Sequence, residues 1–431
     1  MTFNKFQEEK PLTVDLNDPH DNQKLILKSK AKYRVVSCGR RFGKSEAAKI
    51  ATNIRAVQGQ GIWFCSPTNK NSKRMFRQFE KLYKNFPEHL VKINKTDMRI
   101  DFIFSDGWIE FISLAEPDNL RGEGLDFVVI DEAAFVADHV WSEILQPMLL
   151  STKGDALFIS STNGRNWFWR IYNMGLDPDV EDYEAFHFTT YDNPLLDKLD
   201  IDKIKKEVPS FVFDREYMAI FEEDGGSVFK LINRVVRYLE RDDFEYKTEL
   251  HYVDVMLEKV KKDEALIVFG IDFGQMNDYT VITVYDLISN SLIEYSRINQ
   301  VLWEDIEREI IRLNDKWNPI HIRAEENNAK ATIESLQKSG LPIEGFKTTS
   351  KSKPEIINSL ALAIEQKTIS LPDDKTLITE LSSYSMTRSP AGNIKYSAPS
   401  GLHDDIVMSL AIVYSLTEQV MKPFELEIMS V

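Results

Sequence analysis

The chain has 431 residues, too many for one hydrophobic core, so two domains of ordinary size are expected. Hydrophobic residues make up 43% and charged residues 28%, which excludes a disordered chain. A formal net charge of −15 excludes a uniformly basic coat for nucleic acid but leaves room for a local basic strip.

In chain order, the polar start Met1–Lys10 carries no secretory signal, and no apolar run nears the roughly 20 residues of a membrane span. A cytosolic protein is expected. Cys38 and Cys65 are too few for a disulfide framework and lack metal-site spacing. Apolar runs at Tyr33–Ser37, Gly61–Cys65, Trp108–Ser113, Phe127–Ile130 and Ala156–Ser160 predict buried strands. Helical patterns at Ser45–Val57 and Ser72–Lys84 lie between them, which predicts a mostly parallel α/β sheet. The charged break Glu222–Gly226 and the charged stretch to about Glu264 predict a linker. Beyond it, Ala265–Asp272, Thr280–Asp286 and Ser291–Ile298 predict an antiparallel meander. Trp303–Trp317 predicts a helix, Ile320–Glu325 a strand, Ala329–Ser339 a helix and His403–Glu418 a last helix. The expected division is a first domain over 1–223 with a small lid near 185–223, a linker over 224–264, a second domain over 265–420 and a tail over 421–431.

Val35–Ser45 reads VVSCGRRFGKS: a strand, a glycine-bearing turn, then Gly43-Lys44-Ser45 opening a helix. Backbone N–H groups of such a loop hold phosphate, Lys44 reaches the β/γ-phosphates and Ser45 ligates Mg²⁺. The first glycine of the motif falls on Cys38, with Gly39 following it. Phe127–Phe135 reads FVVIDEAAF and supplies the second half of an ATP site. Asp131 is the candidate for holding Mg²⁺, directly or through water, and Glu132 for polarising the attacking water. Ser161 and Thr162 end another strand and could sense the γ-phosphate; an ordinary strand exit is the competing reading.

A second set of acids follows. Asp272 ends a strand in GIDFGQMNDYT, Glu325 and Glu326 end another in IRAEENN, and Asp404 and Asp405 open the last helix in GLHDD. Such oxygen ligands suit Mg²⁺ or Mn²⁺, and a pair of ions can hydrolyse a phosphodiester. Each acid alone can equally be structural. Lys70, Lys73, Arg74, Arg77, Lys81 and Lys84 recur at helical spacing opposite Met75, Phe76, Phe79 and Leu82, a candidate DNA-tracking face or a plain solvated one.

Taken together, the P-loop, VVIDEAAF, STNG, GIDFGQMNDYT and HDD resemble the large subunit of tailed-phage terminases over about Asp18 to Ser415. The resemblance implies an N-terminal RecA-like (ASCE P-loop) ATPase domain and a C-terminal ribonuclease-H-like (RuvC-like) nuclease domain. It implies ATP and Mg²⁺ (or Mn²⁺) as cofactors and double-stranded DNA concatemers as substrate. It further implies a small terminase subunit, a portal protein on the procapsid, and a ring of subunits in the infected cell. It assigns adenine contact to Gln23, loop arginines to Arg40 and Arg41, and a trans-acting finger to Arg121, for which a surface ion pair is the alternative. Phe42 lies in the same loop. Ser161 and Thr162 match the coupling motif, and Asp272, Glu325 and Asp405 the nuclease acids, with Asp404 the alternate. The chain departs from the family's pattern at Asn163, where a proline is common, and at Met408, where an aspartate is common. A helicase-nuclease of DNA repair and a nucleotide-switched assembly protein are the rival readings.

Overall fold

The computed structural model describes residues 14, 16–117, 120, 124–221, 226–237, 245–249, 252–256, 265–274, 278–388, 394–399 and 401–428. The chain forms two compact units. The first takes Met1–Lys203, Val212–Glu223 and Arg388–Asn393; the second takes Ile204–Phe211, Asp224–Thr387 and Ile394–Val431. The division therefore crosses the expected boundary at 223, because 204–211 groups with the second unit. There Ser210 donates its backbone N–H and its hydroxyl to the Glu365 carboxylate at 2.9 and 2.8 Å.

The first unit opens with α1 (Asp21–Lys28), β1 (Tyr33–Cys38), α2 (Lys44–Val57), β2 (Gly61–Ser66) and α3 (Asn69–Tyr83). β3 (Val91–Asn94), β4 (Arg99–Phe102), β5 (Gly107–Ser113) and β6 (Phe127–Asp131) follow. A π-helical stretch, Val140–Leu145, runs into α4 (Gln146–Leu150); β7 (Asp155–Ser160), α5 (Trp167–Leu176) and β8 (Tyr183–Phe188) complete the sheet. Its order is β3-β4-β5-β2-β6-β7-β1-β8. β1, β2 and β6 are buried at every residue, as parallel strands covered on both faces must be. β4 and β5 alternate buried with half-buried residues, which suits the antiparallel β3–β4–β5 end.

The apolar side of α3 decides its orientation. Met75, Phe76, Phe79 and Tyr83 are buried. Each large apolar side chain stabilises by roughly 1.5–3 kcal/mol, whereas an exposed ion pair contributes about 0–1 kcal/mol. Lys70, Lys73, Arg74, Arg77, Lys81 and Lys84 are consequently left exposed.

The chain continues through α6 (Lys198–Glu207) and α7 (Ser210–Glu216) to a short strand β9 (Val236–Arg237), then β10 (Glu245–Glu249), β11 (Tyr252–Met256), β12 (Ile267–Asp272), β13 (Thr280–Asp286) and β14 (Ser291–Ile298). Next come α8 (Trp303–Trp317), β15 (His321–Glu325), α9 (Lys330–Lys338), β16 (Ile343–Phe346) and α10 (Ser352–Gln366). β17 (Leu371–Pro372) pairs with β9, then α11 (Lys375–Ser383), the pair β18 (Ser385–Arg388) and β19 (Ile394–Ser397), and α12 (Asp405–Ile428) end the chain. The seven-stranded sheet has the order β10-β11-β14-β13-β12-β15-β16.

Two expectations fail in this half. The stretch read as a linker contains β10 and β11, and β11 hydrogen-bonds to β14 as part of the sheet. The last helix runs to Ile428, so most of the expected tail is helical. Among the described residues no helix is long and apolar enough to cross a membrane.

α12 lies against β12 because Gly270 lets it. A Cβ on Gly270 would stand 2.4 Å from the Ser409 carbonyl oxygen. The Ser409 hydroxyl donates to the Gly270 carbonyl at 2.9 Å and pairs with Thr283 Oγ1 at 3.0 Å. These bonds set the height of α12 over the sheet.

Candidate functional site

The phosphate loop sits between β1 and α2. Gly39 is held by a backbone bond to the Phe188 carbonyl, and a Cβ there would stand 2.2 Å from the Tyr217 carbonyl oxygen. That close approach requires glycine at 39 rather than at 38. Cys38 is the buried last residue of β1, and burial pushes its thiol up to about 12. Gly43 precedes the helix at φ 103°, in the left-handed region. Phe42 is buried and stacks on Phe188 with ring centroids 4.6 Å apart.

The loop is clamped from outside. Thr190 Oγ1 donates to the Arg40 carbonyl and Asn193 Nδ2 to the Arg41 carbonyl, both at 2.7 Å. Arg40 pairs with Glu216, which also accepts from Arg215 at 2.8 Å. Arg41 is exposed. Gln23 reaches the loop, but with both ends engaged: Nε2 donates to the Gly43 carbonyl at 2.8 Å, and Oε1 accepts from the His20 N–H at 3.0 Å. It docks α1 on the loop, and an adenine contact would have to displace those bonds.

β7 lies between β1 and β6, so the loop and the β6 acids stand two strands apart. Lys44 spans the gap, with Nζ 3.4 Å from Glu132 Oε1. Burial disfavours the Lys44 ammonium, but Glu132 and Asp131 outweigh it and raise its pKa. Asp131 is pushed up to about 7, by burial first and by the neighbouring Glu132 second, against the pull of Lys44 and Arg74. Asp131 Oδ1 and Glu132 Oε2 are buried with no hydrogen-bond partner. Glu132 has φ 53°, a left-handed geometry that costs a non-glycine residue on the order of 1–3 kcal/mol. Unpaired acceptors and a strained backbone at one spot mark a site built for cationic partners. Ser45, one residue into α2, is half-buried beside Lys44.

Beside Glu132 lies a cavity of about 610 Å³, lined among others by Arg40, Thr68, Asn71, Phe135 and Ser161. Thr162 Oγ1 donates to the Ile220 carbonyl at 2.9 Å, and Asn163 Nδ2 to the Ala134 carbonyl at 2.8 Å. The segment after β7 thus ties the turn after Glu132 to residues after α7. Arg74 was expected only in the basic strip, yet its charge also reaches Asp131. Arg121 lies outside the described residues.

The second unit gathers the other acids. β12 and β15 run parallel with Ile271 opposite Ala324, so Asp272 and Glu325 come next, side by side. Asp272 is buried and its carboxyl is raised well above the usual range, by burial first, then by its hydrogen bond to Glu325 and the charges of Glu325, Asp405 and Asp404. Asn327 Nδ2 donates to Glu325 Oε1 at 3.0 Å. Glu326 faces Gly345, where a Cβ would stand 2.5 Å from its Oε2. Of the adjacent pair, Glu325 is therefore the one at the cluster.

Asp405 opens α12; its Oδ2 accepts from the Tyr279 N–H at 3.2 Å and stands 3.5 Å from His403 Nδ1. Burial, with Asp278 and Asp404 adding to it against the Tyr279 bond, pushes Asp405 up to about 6. Asp404 precedes the helix and faces Lys353 Nζ at 3.7 Å. Among the described residues no three His, Cys, Asp or Glu side chains already form a ready cation cage. Sequence reasoning missed Tyr279, Lys353 and Glu380. Glu380 accepts from the Ile406 N–H at 2.9 Å and from Arg297 at 3.1 Å, and so fixes the start of α12. Tyr279 lies inside the GIDFGQMNDYT run without being singled out there, and Lys353 and Glu380 lie in no motif.

A family model described as terminase large subunit, T4likevirus-type, N-terminal, matches residues 35–235. The chain is 31% identical over 435 residues to the large terminase subunit of Thermus virus P23-45, covering 93% of this chain and 88% of that protein. A solved large terminase from a thermophilic bacteriophage shares the fold, with 15% identity over 92% of this chain and 98% of that one and a TM-score of 0.52. The large terminase nuclease of thermophilic phage G20c, solved with bound magnesium, is 28% identical and matches 44% of this chain and 97% of that one, with a TM-score of 0.40.

Proposed function

The chain belongs to the large terminase subunits of tailed bacteriophages, ATP-driven DNA-packaging motors with nuclease activity, and from that premise we propose how its residues divide the work. The observation that carries the ATPase reading is Lys44 bridging to Glu132 beside the unpartnered Asp131 Oδ1 and Glu132 Oε2. The β/γ-phosphates take over Lys44, which frees Glu132 to hold and polarise the attacking water. Ser45 and Asp131 hold Mg²⁺, which neutralises charge on the phosphates. Backbone N–H groups from Gly39 to Lys44 cradle the phosphates. Ser161 and Thr162 couple the site to residues 215–220, through the bonds of Thr162.

In the second unit, Asp272 and Glu325 hold a divalent cation from adjoining strands and Asp405 holds it from α12. The donor set fits such an ion, because buried carboxylates that repel one another are relieved by a hard cation among them. When bound, the metal supplies an activated water and neutralises charge on the phosphodiester. Asn327 orients Glu325, and Tyr279 orients Asp405. Asp404, engaged by Lys353, is the alternate ligand. The exposed cations of α3, Lys70, Lys73, Arg74, Arg77 and Lys81, track DNA phosphates.

Family membership supports the wider setting: concatemeric double-stranded DNA, a small terminase subunit, the portal of the procapsid, a ring of subunits, and the cytoplasm of the infected cell. Arg121 keeps its role as a trans finger in this reading.

Steady-state ATPase and plasmid cleavage with Mg²⁺ or Mn²⁺ test both centres. Glu132→Gln is expected to lower ATP turnover by about 10²–10⁴-fold with nucleotide still bound. Asp272→Ala is expected to abolish cleavage. Wild-type turnover in the first variant sinks the water-activating role, and wild-type cutting in the second sinks the metal site.

A further inference from the structure

The carboxylate end of the second sheet repels the substrate it must cut. Asp272, Glu325, Asp404, Asp405 and Asp278 gather there, on a chain of net charge −15. Bound cations relieve that field only at the scissile phosphate. The neighbouring phosphates of the same strand remain charged and need cations of the protein's own. The structure supplies them on one side. A cavity of about 230 Å³ is lined by Arg297, Lys375, Thr376, Thr379, Glu380 and His403, among others. We infer that this cavity is a subsite for a backbone phosphate of the DNA strand being cut, next to the scissile one; the inference rests on the nuclease reading above.

Five features carry it. The cavity adjoins the acid cluster through His403, whose Nδ1 stands 3.5 Å from Asp405 Oδ2. Arg297 is held in place before any ligand arrives. Its guanidinium lies 3.5 Å over the Tyr279 ring centroid and donates to Glu380 Oε1 at 3.1 Å, and its Nε is buried with no acceptor. Glu380 is offset by its ion pair with Arg297, and its other oxygen is turned to the Ile406 N–H at 2.9 Å. Lys375 is exposed at the start of α11 and shares a helix face with Thr376, Thr379 and Ser383. The volume is below the roughly 300–1,000 Å³ of sites that enclose whole small molecules, which fits a phosphodiester group with its waters rather than a nucleotide. The contact reads no bases and holds the strand in register over the metal ligands.

The test uses the full chain and a labelled duplex cut in Mn²⁺, with kcat and KM measured separately. Lys375→Glu and Thr379→Glu each put a carboxylate at the cavity through an exposed position; Lys338→Glu, on the exposed end of α9, is the charge control. The expected result is a rise in KM of about tenfold for both cavity variants, with a smaller change in kcat, against little change for the control. The salt slope of duplex binding in EDTA falls by about 0.9 for Lys375→Glu. Wild-type KM in both cavity variants, with Asp272→Ala inactive, overturns the subsite and leaves the nuclease reading intact. Equal cleavage by wild type and Asp272→Ala defeats the nuclease reading instead. Binding in EDTA then decides: weaker binding by Lys375→Glu keeps a phosphate subsite, and unchanged binding removes it.

Discussion

Gly39 explains why the phosphate-loop motif is displaced by one residue. The Tyr217 carbonyl lies where a Cβ at 39 would go, so the glycine follows the clamp and not the consensus spacing. At the same scale, the second acid cluster predicts a pH dependence. Asp405 rises from an ordinary 3.8 to about 6, mainly through burial, and Asp272 is also raised well above the ordinary carboxyl range. A raised carboxyl favours the metal-free fold most below the unfolded value of 3.8, and that contribution is lost as pH rises through about 6 for Asp405 and through the raised value of Asp272. A cation has the opposite preference, because it needs both acids ionised. Mg²⁺ or Mn²⁺ should therefore raise the melting temperature more at about pH 8 than at about pH 5.5. Affinity should fall about tenfold per pH unit for each proton displaced. An ion-induced shift of equal size at both pH values would exclude these acids as ligands.

At the scale of elements, α3 is the clearest case of a pattern that decides a surface. Met75, Phe76, Phe79 and Tyr83 are buried, while its five basic residues and Lys84 just beyond its end are exposed. Reversing Lys73, Arg77 and Lys81 to glutamate should weaken DNA stimulation of the ATPase. It should also lower the log–log salt slope of DNA binding by on the order of 3, about 0.9 for each phosphate no longer neutralised. An unchanged slope would return the strip to a plain solvated face. Helices and strands of strong period were legible in order: α8 runs Trp303–Trp317 as expected, and β12 to β14 form the expected meander. β3, β4 and β8 were not legible. β3 and β4 are short, and β8 is nowhere fully buried and shows no sustained apolar run. Its place in the sheet comes from pairing with β1.

At the scale of the whole molecule, composition placed a linker where the chain builds sheet. β10 is polar and charged and β11 is a short apolar run around Asp254 inside a charged stretch, yet they extend the sheet beyond β14. A nuclease fragment beginning at 226 should be monomeric and melt cooperatively. One beginning at 265 should melt lower and self-associate, because the edge of β14 is then uncovered. Size-exclusion chromatography and thermal melting distinguish them, and equal behaviour would mean that β10 and β11 add nothing to the fold.

Both centres are legible in residue order, because each depends on residue types at strand ends and helix starts: Gly43-Lys44-Ser45 after β1, Asp131-Glu132 after β6, and Asp272, Glu325 and Asp405 at three element ends. Those are local facts of order and spacing. Which neighbours act on them is a matter of packing in three dimensions. Strand register chose Glu325 over Glu326, and the bonds of Gly270, Ser409 and Glu380 set α12 so that Asp405 reaches the cluster. Gln23 hydrogen-bonds the Gly43 carbonyl, and Arg297 is a fixed cation beside the acids. These choices rest on contacts between residues far apart in the chain, which no local spacing encodes.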